Sequence, residues 1–170
     1  MTETIRFAWG TSSLGDFVVA ISETGIVAVE FSADRAAMEH ALQARFPDAA
    51  LERGQDGLVE VAATVAGLID DPAAECALPL DLRGTPYEVT VWQMLREIPP
   101  GETTTYGALA ARLGTKDPRD VTQAIASNAI AVIVPCHRVI KKDGSISGYR
   151  WGVGRKRRLI NMEGVACYAS

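Results

Sequence analysis

Apolar and polar positions alternate on both sides of Glu23-Thr24-Gly25 in the stretch DFVVAISETGIVAVEF, and valine and isoleucine dominate the apolar ones. A period of two around a glycine-containing turn predicts a β-hairpin. The period then changes. In ADRAAMEHALQARF, Ala37, Ala41, Leu42 and Phe46 recur at helical spacing and the run stops at Pro47. An amphipathic helix is expected there, with His40 on its surface. PDAALERGQDG reads as a loop, LVEVAATVAGLI as a second helix and ALPLDL as a short extended segment.

From residue 85 the pattern is helical. TPYEVTVWQMLREI has Thr85 as a cap and Pro86 at the first helical position, and PPGE ends it. TTTYGALAARLG predicts a short helix closed by Gly114, and DPRDVTQAIASN another that opens at Asp117-Pro118. Two short helices joined by a glycine-containing turn look like a helix-turn-helix. Past Arg119 the second helix carries mostly short side chains, so its backbone could approach a partner closely, while few groups could read base edges in a major groove. AIAVIVPCHRVI is β-branched and reads as extended and buried. KKDGSISGYRWG is a loop or tight ribbon around Asp143-Gly144. VGRKRRLINMEG is a basic helix with Leu159, Ile160 and Met162 on its apolar side.

The fold class is therefore α+β. A small N-terminal αβ part with a β-hairpin and helices, residues 1–84, precedes a mainly helical, winged-helix-like part, residues 85–170. At 170 residues the chain has room for one domain or two small ones, and 48% apolar residues suffice for a core. No segment has the apolar length of a membrane span, and no secretory signal is visible at the N-terminus.

Charge sharpens the boundary. Residues 1–81 hold four basic and fourteen acidic residues, and residues 82–170 hold thirteen basic and seven acidic. Eight of those cations lie between Arg138 and Arg158, with Asp143 the sole acid among them. A basic half of this kind meets a polyanion or forms a solvated helix face, and charge alone does not choose. Trp9 and Trp92 read as core or interface anchors. Cys76, Cys136 and Cys167 are odd in number and lack the spacing of a zinc site, which fits a reducing cytosol and no metal.

Candidate chemistry centres on IVPCHRV. Cysteine attacks as a thiolate, so a reactive Cys136 needs a base or a positive environment. In an extended segment His137 would point to the opposite face, which leaves a bridging water as its route to the sulfur. The imidazole needs a carboxylate to fix its tautomer, and Glu163 is the one acid after Asp143. Pro135 fixes the chain's entry into the site. A buried inert cysteine beside a satisfied histidine is the competing reading of the motif alone.

TYGALA, Arg119, Asn128, VIVPCHRV, SGYRWG and the helix from Lys156 to Glu163 together resemble the O6-alkylguanine-DNA alkyltransferases, without gaps from about Tyr106 to Gly164. GYRWGVGRK is especially like the bacterial Ada-type members, and the first half is similar to that family's ribonuclease-H-like first domain more loosely. The resemblance implies single-turnover repair of O6-alkylguanine, and by extension O4-alkylthymine, in double-stranded DNA approached from the minor groove. It implies a monomer, a cytoplasmic setting and no cofactor. Cys136 would accept the alkyl group, with His137 acting through water and Glu163 orienting it. Arg119 would fill the gap left by an extruded base, with Thr122 and Gln123 beside it on the DNA-facing helix. Tyr106, Tyr149, Val139, Arg150 and Lys156 would line or support the base pocket. Asn128 would hold the turn before the cysteine. Asp120, Thr122 and Gln123 depart from the family's small or neutral residues, and Asp120 would sit near the phosphates. The bulk of Trp151 predicts a pocket that disfavours benzyl-type adducts. The zinc ligands of some relatives' first domain are missing here. Rival readings are a lesion binder or regulator with a structural cysteine, and a multiple-turnover Cys-His hydrolase.

Overall fold

The computed structural model describes residues 2–146 and 148–164. Its first half is a mixed sheet of β1 (Glu3–Ser12), β2 (Gly15–Ile21), β3 (Ile26–Phe31) and β4 (Ala49–Arg53), in the order β3-β2-β1-β4. The predicted hairpin is β2–β3, with Val19 opposite Val29. Strand β4 runs parallel to β1, pairing Ile5 with Leu51. The loop expected over 47–57 is thus in part a strand. Its Ala-Ala-Leu-Glu-Arg sequence has low intrinsic strand preference, and a neighbour remote in the chain imposes the conformation.

Helix α1 (Arg35–Arg45), capped by Asp34, covers one face of the sheet, and α2 (Gln55–Asp70) packs on the other. Leu42 and Phe46 are buried as expected, but Ala37 and Ala41 are exposed, since Met38 supplies the contact instead. Trp9 and Trp92 are both buried.

The second half contains α3 (Pro86–Arg96), β5 (Thr104–Thr105), α4 (Tyr106–Leu113), α5 (Pro118–Ala126), β6 (Val139–Ile140) and α6 (Val153–Met162). Thr85 and Glu88 form a reciprocal capping box at the start of α3. Gly114 ends α4 in the left-handed conformation, φ 69°, that lets the chain turn into α5. The α4–α5 pair is the expected helix-turn-helix. Trp92 Nε1 donates to the Ala124 carbonyl at 2.8 Å and fixes α3 against α5.

The two halves meet along β3. Val29 N donates to the Ala129 carbonyl and Ala131 N donates to the Val29 carbonyl, both at 2.9 Å. One core joins Phe17, Val19 and Val29 of the sheet to α2, Trp92, Val134 and Leu159. Among the described residues, no helix is long and apolar enough to cross a membrane.

Candidate active site

The segment after α5 departs from the extended form read from its sequence. Residues 131–134 make a turn, Cys136–Arg138 form one turn of 3-10 helix, and only Val139–Ile140 are strand. Valine and isoleucine here satisfy burial rather than β-pairing, which a period-based reading cannot separate. Val132 has φ 67°, costly for a β-branched residue and of a kind that clusters at functional sites.

Asn128 holds this turn. Its Oδ1 accepts from Ile130 N at 2.9 Å, and its Nδ2 lies 3.3 Å from the Ile130 carbonyl, 3.1 Å from the Val134 carbonyl and 3.3 Å from Cys136 Sγ. Asn128→Ala leaves buried carbonyls unsatisfied and should cost roughly 2–3 kcal/mol of stability, read by denaturant unfolding.

At the other end of the turn, β6 pairs in parallel with β5, Thr104 with Val139 and Thr105 with Ile140. That pairing brings Tyr106, first residue of α4, beside Cys136. The two share a cavity of about 260 Å³ lined by Tyr106, Thr122, Ile125, Ala126, Cys136, Gly148, Tyr149 and Arg150. Gly148 has φ 59°, and the loop crosses the cavity in a conformation that glycine adopts freely.

Cys136 is 5% exposed. Burial pushes its thiol up to about 11, against the opposing pull of Asn128, Lys156 and Arg150, so the resting group is protonated. His137 is fully buried, and burial lowers its pKa more than Glu163 raises it, which keeps the imidazole neutral. In a 3-10 turn neighbouring side chains diverge by about a third of a circle, so His137 is not on the opposite face from the sulfur as an extended strand would place it.

Glu163 caps the end of α6 with its carboxylate inside. His137 Nε2 lies 3.2 Å from its Oε1. The approach is out of line, and neither ring nitrogen has an aligned hydrogen bond to protein. Burial raises the carboxyl, but His137 and Arg138 together outweigh it and hold it below the usual range.

Arg138 is the residue that sequence reasoning passed over. It donates Nε and Nη2 to Glu163, Nη1 to the Ile98 carbonyl at 2.6 Å and Nη2 to the Pro72 carbonyl at 3.1 Å. The basic cluster was read as meeting a polyanion or forming a solvated face, and neither reading buries Arg138. Its position two residues from the cysteine and the shortage of acids nearby were the available signals.

Lys156 is also buried, with Nζ donating to the Gly148 carbonyl at 3.2 Å and sitting 5.9 Å from the Tyr106 ring centroid. Burial lowers its pKa to about 8. The basic helix therefore turns one cation inward, and Met162 is 37% exposed rather than on the apolar side.

Several expected lining residues lie elsewhere. Val139 is buried in β6 and does not line the cavity. Trp151 packs edge-on against Tyr149 behind the cavity wall, ring centroids 5.2 Å apart, so its bulk gives no ground for rejecting benzyl adducts. On α5, Thr122 faces the cavity, whereas Gln123 and Asp120 border a separate groove with Thr85 and Glu88. Arg119 lines neither and is exposed, paired with the N-cap carboxylate of Asp117 at 2.9 Å. Cys76 lines a different cavity, with Pro99 and Arg138, and Cys167 lies outside the described residues.

The chain that carries this cysteine, histidine and carboxylate is similar to known proteins. Residues 86–165 match the family model described as 6-O-methylguanine DNA methyltransferase, DNA binding domain. A methylated-DNA–protein-cysteine methyltransferase of Salmonella typhimurium is 36% identical over 158 residues, covering 87% of this chain and 88% of that protein. The chain belongs to this family. The bifunctional transcriptional activator/DNA repair enzyme Ada of Escherichia coli is 41% identical over 160 residues, 94% of this chain but 45% of that protein. The chain thus spans just under half the length of its Ada relatives. The fold is shared with Mycobacterium tuberculosis OGT in complex with DNA, at TM-score 0.71 and 30% identity, over 94% of this chain and 92% of that one.

Proposed function

We propose that the chain removes alkyl groups from O6-alkylguanine in double-stranded DNA by taking them onto Cys136, once per molecule. The observation that carries this is the Cys136 sulfur on the wall of a 260 Å³ cavity with His137 and Glu163 behind it. A cavity of that size and lining suits a purine, not a duplex. The base must therefore leave the stack, at a cost of roughly a few kcal/mol that is smaller for a damaged base.

In the proposed reaction Sγ forms a bond to the alkyl carbon as the bond from that carbon to O6 breaks. The electron pair leaves with guanine, which takes up a proton and so balances the one lost by the thiol. Neutral His137 receives the thiol proton through a bridging water, and ionised Glu163 stabilises the imidazolium. Tyr149 Oη is buried without a protein partner, so it can donate to the departing base. Tyr106 flanks the same wall. Lys156 offsets part of the burial penalty on the developing thiolate. The thioether product has no facile hydrolytic route, so the molecule is consumed.

Thr122 lines the cavity from α5, Arg119 is exposed in the first turn of the same helix, and small neighbours allow the helix to approach the minor groove. Arg119 exchanges its surface pairing with Asp117 for the space vacated by the base. Arg119→Ala should slow transfer from duplex by about tenfold, the scale of one lost stacking contact, while transfer from the free base stays at the wild-type rate. Comparing the two substrates checks it. The function itself is tested on the DNA side: guanine restored in a methylated duplex should plateau at the amount of protein added. Continued turnover points to the hydrolase, and no restoration to the lesion binder.

A further inference from the structure

Glu30 is a buried carboxylate in the first half of the chain, 2% exposed, that the proposed chemistry does not use. It lies on β3, next to Val29, whose backbone joins the strand to residues 129 and 131. Two arginines from different parts of the chain converge on it. Arg45, in the last turn of α1, reaches Oε2 at 2.9 Å, and Arg150 reaches Oε1 at 3.0 Å.

Arg150 is the connection to the site. It lines the Cys136 cavity, and its Nη1 donates to the main-chain carbonyl of Asn128 at 3.2 Å. The side chain of that same asparagine lies 3.3 Å from Sγ. Arg150 also packs 5.6 Å from the Trp151 ring centroid and follows Tyr149 directly in the chain. A long, partly exposed arginine keeps one position only if its charge is tied down, and Glu30 supplies the charge.

We propose that Glu30 is a positioning residue for the base cavity: it anchors Arg150 on the cavity wall, so the geometry of the site in the second half depends on a strand of the first. This rests on the alkyl-transfer reading above. Arg45 serves as the built-in control, because it shares the carboxylate but touches neither the cavity nor Asn128.

The experiment measures methyl transfer from free O6-methylguanine base at increasing concentration, together with thermal unfolding, for the full chain. Glu30→Gln should raise the half-saturating concentration about tenfold, the size expected for loss of a charge-assisted contact, with the limiting rate little changed. Glu30→Asp should recover part of that loss. Arg45→Met should lower the melting temperature but leave half-saturation at the wild-type value. Arg150→Met should match Glu30→Gln, and the double variant should show no further rise. A Glu30→Gln protein that melts earlier yet saturates normally overturns the inference, as do equal shifts for Arg45→Met or additive effects in the double variant. In those cases wild-type transfer persists and the repair reading stands. Wild-type protein that accepts no methyl group overturns both.

Discussion

Cys136→Ala should abolish methyl transfer to the protein while leaving its affinity for methylated duplex within a factor of about two, the scale at which surfaces remote from a change are unaffected. In the proposed reaction the sulfur is the group that forms the new bond, so no graded loss is expected. The rest of the site does not depend on it. Asn128 keeps its contacts with Ile130 and Val134, so the turn persists. Thr122 and Arg119, on α5, are equally untouched. The thiol is small and 5% exposed, and its removal should cost about 1 kcal/mol of packing. Cys76 does not substitute, because it borders another cavity on the far side of Arg138. Gel-shift affinity and transfer from labelled DNA, measured on one preparation, check both halves of the prediction.

Glu163 gives the second large effect, and it divides by substitution. Glu163→Ala leaves the buried Arg138 guanidinium facing two carbonyls with no counter-charge, a change that costs about 3–5 kcal/mol in buried pairs. Glu163→Gln keeps the shape and an acceptor but removes the charge that stabilises a His137 imidazolium. Transfer should fall by about one to two orders of magnitude, within the range of general-base contributions, and DNA binding should change little. An unchanged transfer rate would remove Glu163 from the relay.

The same pair sets a pH dependence. The folded pKa of Glu163 lies below its unfolded value, so its contribution is present above the ordinary carboxylate range and is lost as pH falls through the folded value. The folded pKa of His137 is also lowered, so the unfolded chain binds a proton below about 6.5 that the folded one does not. Both effects destabilise the fold as pH drops. Unfolding midpoints should decline from pH 7 toward 4, and Glu163→Gln should flatten the lower part of that decline.

Much of the fold is legible in local pattern. The β2–β3 hairpin, α1, the capped α3 and the α4–α5 pair follow from alternation, capping residues and the Gly114 stop. Strand β4 was not legible, since Ala49–Arg53 owes its extension to β1, over forty residues away. Nor was the turn at Ala131–Val134, whose valines and isoleucine look extended but are bent by Asn128. The pairing of His137 with Glu163 followed from the scarcity of acids. Arg138 escaped because a charge run describes sequence, whereas its burial comes from carbonyls at Pro72 and Ile98 that tertiary packing brings to it. Sequence alone likewise does not separate Gln123, which borders the groove beside α3, from Thr122, which lines the cavity.

The most direct test is to mix the intact protein with an excess of duplex carrying O6-methylguanine, weigh it, and map the modified peptide. A gain of one methyl group per chain, on Cys136 and nowhere else, is the predicted result. An unmodified protein, or a methyl group on another residue with Cys136 free, would contradict the account.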